Sequence, residues 1–126
     1  MGAAAGPAWA MSRGFDDPDA AVGASLEALR AGDWPGYLTL VFGAGALPSE
    51  ALRHARAELA RHGGDGFDAA RILAERRVRP DLRAVFIELD GRGPFYVYLM
   101  LHRTDGAWRI TWSRAAADRA AFESLL

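Results

Sequence analysis

Glu88 and Asp90 stand two residues apart in the stretch AVFIELDG. In an extended chain that spacing puts both carboxylates on one face. A carboxylate held among apolar groups has a raised pKa and can give or take a proton near neutrality. Glu88 sits inside an apolar run and is the stronger candidate acid or base. Asp90 stands at a glycine-bounded turn and reads as its cap. The competing reading of Glu88 is an ion pair with an arginine across a sheet, such as Arg77.

Tyr96, Tyr98, Met100 and His102 alternate onto one face of a second apolar run, and Phe95, Val97, Leu99 and Leu101 share the other. Lining a pocket, the tyrosine face offers hydroxyl donors and a histidine base, enough to polarise a carbonyl and move a proton. Tyr98 and His102 therefore join Glu88 as candidate catalytic residues. Facing outward, the same rings would cover a sheet or a dimer interface.

His54, Glu58 and His62 follow at i, i+4 and i+8 on one helical face. These are zinc-ligand types. Arg53, Arg56 and Arg61 surround them and the HExxH pattern is absent, so the face reads as solvated and no metal is expected. Arg71, Arg76, Arg77, Arg79 and Arg83 could meet a phosphate or an acidic partner. They could equally be the charged edge by which a strand avoids aggregation. The glycine-rich stretches lack a phosphate-loop Lys-Ser/Thr, and no nucleophile-elbow sequence supports a serine triad.

Composition removes other chemistries. The chain has 126 residues, enough for one domain with a real core. It holds no cysteine, which excludes disulfides, thiol nucleophiles and thiolate metal sites. It holds no lysine, which excludes Schiff-base chemistry. All 15 basic residues are arginine, a bias that fits a GC-rich bacterial genome. The net charge of −1 gives no electrostatic pull towards nucleic acid or an anionic membrane. No apolar run approaches the roughly 18 to 20 residues of a membrane span. The first residues make a poor signal peptide, so residues 1–15 are expected to be a flexible tail on a cytoplasmic protein, with Trp9 and Met11 tucked against the domain.

The elements that position these residues can be read in order. Asp16, Asp17, Pro18 and Asp19 start a helix whose stripe is Val22, Leu26 and Leu29, and Gly32 stops it. Asp33 caps a second helix carrying Trp34, Tyr37, Leu38 and Val41. A loop over Gly43–Pro48 leads to a third helix, capped by Ser49, that runs from Glu50 to about His62 and ends at Gly63-Gly64. Phe67 to Arg79 reads as a strand, as does Arg83 to Asp90, with Val85, Ile87 and Leu89 on one face and Ala84, Phe86 and Glu88 on the other. Asp105-Gly106 predicts a hairpin turn between Phe95–His102 and a final strand. There Trp108, Ile110 and Trp112 are expected on one face. Ala115 to Leu126 is expected to be a short docking helix.

Helices grouped before strands imply an α+β domain: three N-terminal helices packed on a curved, mainly antiparallel sheet of about four strands. The corner Ala31-Gly32-Asp33-Trp34, the closing Asp105-Gly106-Ala107-Trp108-Arg109-Ile110 and this element order resemble the nuclear transport factor 2-like (cystatin-like, SnoaL-like) superfamily over roughly Asp16 to Ser113. The resemblance implies a cone-shaped domain over residues 16–126, with a pocket between sheet and helices. It does not select among that superfamily's isomerases, cyclases, dehydratases, epoxide hydrolases, binding proteins and dimerisation modules.

The leading expectation is binding of a small apolar ligand without cofactor, in a pocket lined by Trp34, Tyr37, Phe86, Trp108 and Trp112 with Tyr98, since ligand sites are usually apolar with few polar groups. The alternatives are a cofactor-independent lyase, cyclase or isomerase using Glu88 or His102 as base and Tyr98 as donor, and an interaction module without a pocket. A homodimer formed through the sheet is expected; nucleic-acid and membrane partners are not.

Overall fold

A computed structural model describes residues 13–43 and 49–125. The expected positions of Trp9 and Met11, and the loop beyond Gly43, lie outside the described residues. Three helices come first: α1 (Pro18–Ala31), α2 (Trp34–Phe42) and α3 (Ser49–Gly63). Four strands follow: β1 (Ala69–Arg79), β2 (Leu82–Gly91), β3 (Gly93–Thr104) and β4 (Ala107–Ala116). A 3-10 helix, Arg119–Leu125, comes last. The strands form one antiparallel sheet in the order β1-β2-β3-β4, so every neighbour in sequence is a neighbour in space. The α+β class with helices before strands is thus as the element order predicts.

Local chemistry explains the helix starts. The Asp17 side chain accepts from the Ala20 N–H at 2.7 Å, and Pro18 occupies the first turn. Asp33 does the same for the Gly36 N–H at 3.0 Å, with Pro35 in the first turn of α2. Between the two helices Gly32 adopts φ 72, the left-handed conformation that ends α1. The corner then docks on the turn that feeds β1. The Phe67 N–H donates to the Leu29 carbonyl at 3.1 Å. A Cβ on Gly66 (φ 148) would fall inside the Arg30 carbonyl, so only glycine lets the two backbones approach.

One sheet face carries the main core. Val85, Ile87 and Leu89 of β2, Phe95, Val97, Leu99 and Leu101 of β3, and Trp108 and Ile110 of β4 pack against Val22, Leu29, Trp34, Leu38 and Val41 of α1 and α2. Phe15, the last residue of the expected tail, pairs with Trp108 through two backbone hydrogen bonds, 2.8 and 2.7 Å, and is itself buried. The opposite, outer face is covered in part by the 3-10 helix. Phe122 is fully buried there, against Phe86 (5.2 Å between centroids) and Tyr96 (6.4 Å).

Two expectations are corrected. Trp112 does not share a face with Trp108 and Ile110. Leu101 pairs with Ile110 but Met100 pairs with Trp112, so β4 contains one extra residue, Thr111, and the alternation slips by one. Trp112 therefore stands on the outer face, in an edge-on contact with Tyr98 at 5.8 Å. The final segment is also not helical from Ala115: β4 continues to Ala116, and only Arg119–Leu125 turns, as a 3-10 helix. Ala115 and Ala116 are held by pairing with Val97 and Tyr96.

Candidate functional site

The β4 bulge shapes a site where polar groups meet an apolar cavity between helices and sheet. Beyond Thr111 the inward positions are Ser113, opposite Leu99, and Ala115, opposite Val97. Both are small. The helices facing them contribute Tyr37, Leu38 and Phe42 from α2 and His54, Ala55, Glu58 and Leu59 from α3, and β3 contributes Phe95. They line a partly open cavity of about 320 Å³.

Its electrostatics centre on Tyr37, a buried residue of α2. The Tyr37 hydroxyl lies 3.4 Å from the Ser113 hydroxyl, within hydrogen-bond reach. Burial pushes the phenol pKa up to about 12, against the smaller opposing effect of Ser113. Tyr37 is therefore a protonated donor at any physiological pH. Glu58 is differently occupied. It accepts from Arg61 at 2.8 Å and lies 3.4 Å from His62 Nε2. The Arg61 hydrogen bond holds its carboxyl below the usual carboxylate range. The His62 ring stacks on Phe95, 4.7 Å between centroids. Among the described residues no group of three His, Cys, Asp or Glu is placed to hold a metal ion.

The eight residues singled out from the sequence fall in several places. Tyr37 alone lines this cavity. Trp34 is buried edge-on to Phe67 at 5.8 Å, and Trp108 is buried beside Phe15, with the Arg83 guanidinium 5.8 Å from its ring centre. Phe86, Glu88, Tyr98, His102 and Trp112 all belong to the outer face. Along it the paired rungs run Glu88–Tyr96, Phe86–Tyr98, Ala84–Met100 and Leu82–His102. At two residues per rung, Glu88 and His102 stand roughly 20 Å apart. Glu88 is bound by Arg71, which also reaches Asp90 at 3.2 Å. Arg71, rather than Arg77, is its partner. Chiefly the Arg71 hydrogen bond, helped by the Tyr96 hydroxyl, lowers the Glu88 pKa, so the carboxylate is held ionised. His102 Nε2 lies 3.5 Å from Asp81.

No protein-family model matches the sequence, and no curated protein matches it. Solved structures do. A chain named for a calcium/calmodulin-dependent protein kinase type II association domain from Thiobacillus denitrificans is similar with a TM-score of 0.61 at 15% identity, over 86% of this chain and 100% of that one. A ketosteroid isomerase-like protein from Erwinia carotovora atroseptica gives 0.54 at 17% identity, over 77% and 90%. A nuclear transport factor 2-like protein of unknown function from Silicibacter pomeroyi gives 0.51 at 21% identity, over 78% and 92%. The chain has the nuclear transport factor 2-like fold.

Among the cavity residues that sequence reasoning missed are Ser113, Phe42, Phe95 and Leu59. They come from four separate elements and share no spacing. The only local signal was the placement of Tyr37 and Leu38 beside the Trp34 stripe. Chemically the cavity offers mainly apolar walls, the Tyr37 and Ser113 hydroxyls, the His54 imidazole, and a carboxylate, Glu58, already engaged by Arg61 and His62. Among the described residues no helix is long and apolar enough to cross a membrane.

Proposed function

We propose that the chain binds a small apolar molecule carrying one hydrogen-bond acceptor, such as a ketone, in the cavity between α2, α3 and the sheet. The observation that carries this reading is Tyr37: a buried, neutral hydroxyl opening on an apolar cavity. The cavity's size falls within the range of small-molecule sites, which are mostly apolar with few orienting polar groups. A buried donor left without a strong partner costs free energy, and a ligand carbonyl relieves that cost. The Ser113 contact, at 3.4 Å, is long for a hydroxyl–hydroxyl bond and leaves that capacity largely unused. Binding is favoured over lyase, cyclase or isomerase chemistry because Glu58, the carboxylate lining the cavity, is held by Arg61 and His62.

The test compares 1-tetralone with tetralin, its hydrocarbon counterpart, by titration calorimetry. The native protein should prefer the ketone about five- to tenfold, the range of one net hydrogen bond. Tyr37→Phe should abolish the preference, and Ala55→Trp should block both molecules. Equal affinities in native protein and Tyr37→Phe would remove the proposed role of the hydroxyl. No binding of either compound would remove the site.

A further inference from the structure

We propose a second binding site, on the outer face of the sheet, for small aromatic carboxylates. The 3-10 helix covers only part of that face. Beside it Val78, Tyr98, Met100, Trp112 and Leu125 line an open groove with Arg76 at its margin. The groove has a volume of about 440 Å³. A smaller recess of about 110 Å³ continues from it and shares Arg76, Tyr98 and Leu125.

Two features point to an occupant. The first is aromatic surface left in water. Trp112 is 42% exposed and Val78 44%, although Trp112 is already set edge-on against the buried Tyr98. A flat ring laid on Trp112 and Met100 would cover apolar area that the chain's own residues leave open. The second is charge. Arg71, Arg79 and Arg83 of the same sheet margin are each in ion pairs, with Glu88 and Asp90, with Asp81, and with Asp19 and Glu75. Arg76 is in none of the ion pairs formed by the described residues, and neither is Arg77, which does not line the groove. Its planar fork of donors matches a carboxylate. The groove thus pairs an aromatic floor with one uncommitted cation, the complement of a molecule with a flat apolar body and a single carboxylate. A protein partner fits less well. The apolar core of a stable interface is larger than this groove supplies, since Val78 and Trp112 are its exposed large apolar side chains.

The full chain is titrated with 2-naphthoate and with 2-naphthamide, which keeps the ring system and loses the charge. Binding is followed through the Trp112 indole N–H signal in proton–nitrogen NMR, assigned with Trp112→Phe. Naphthoate should shift that signal and bind about three- to fivefold tighter than the amide, the scale of an exposed ion pair. Arg76→Gln, an exposed change that leaves the fold intact, should remove the difference by weakening naphthoate binding. Three results overturn the proposal: equal affinities for acid and amide in the native chain; competition between naphthoate and 1-tetralone, which would put naphthoate in the Tyr37 cavity; or a Trp112 signal that moves with protein concentration and not with naphthoate, which would mean that a second copy covers the groove.

Discussion

The Tyr37 hydroxyl meets the Ser113 hydroxyl at 3.4 Å, joining α2 to the part of β4 that lies beyond its bulge. Ser113 faces inward only because Thr111 adds a residue to the strand. A local irregularity in the sheet therefore decides which side chain stands opposite the buried phenol.

That phenol makes stability fall at high pH. The unfolded chain releases the Tyr37 proton near 10, and the folded protein holds it to about 12. The stabilisation is complete below 10 and is lost as pH rises through 12, by roughly 2 to 3 kcal/mol in total. Urea midpoints measured from pH 9 to 12 should decline in the native protein and decline less in Tyr37→Phe. Parallel curves for the two proteins would show that the phenol is not held as described.

Glu88 gives the opposite dependence. Its pKa is lowered mainly by Arg71, so its contribution is present above the ordinary carboxylate range and is lost as pH falls through the depressed value. Glu88→Gln should be less stable than the native protein at pH 7, with the gap closing in acid. A gap that persists unchanged at pH 2 would assign the loss to packing and not to charge.

Phe122 tests the cover on the outer face. It is fully buried among Phe86, Tyr96 and Tyr98. Phe122→Ala should cost about 3 kcal/mol, the low end for a buried aromatic, because a short segment can detach without opening the main core. Hydrogen exchange should then rise in residues 119–125 while α1 and α2 stay protected. Uniform loss of protection across the chain would mean that the cover and the core unfold together.

Two glycines should respond in opposite directions. Gly66→Ala places a methyl against the Arg30 carbonyl at φ 148 and should destabilise by roughly 2 kcal/mol or more. Gly23 lies within α1 with nothing within 4 Å of the added carbon, so Gly23→Ala should stabilise by about 0.5 to 1 kcal/mol. Thermal melts of the two variants check both signs.

Much of the scaffold was legible because its signals are local. Asp17 and Asp33 cap the helices they precede, and Gly32 ends α1. Asp105 and Gly106, at φ 52 and 80, make the left-handed two-residue turn that their pairing predicts. Val85, Ile87 and Leu89 share the buried face that their alternation assigns. The bulge was not legible, since nothing in Arg109-Ile110-Thr111-Trp112 marks an extra residue, and one slipped position sends Trp112 to the other face. The cavity was only partly legible for a related reason. Tyr37, Glu58, Phe95 and Ser113 are brought together by tertiary packing, and no sequence period links them.

The outer cover has a consequence for how the protein is made. Phe86, Tyr96 and Tyr98 leave the ribosome well before Phe122, and the strands that carry them need only their sequence neighbours to pair. The sheet can therefore pair with an uncovered aromatic row, which only the docking of residues 119–125 conceals. Until that segment docks, the row Phe86, Tyr96 and Tyr98 is exposed apolar surface of the kind that favours aggregation.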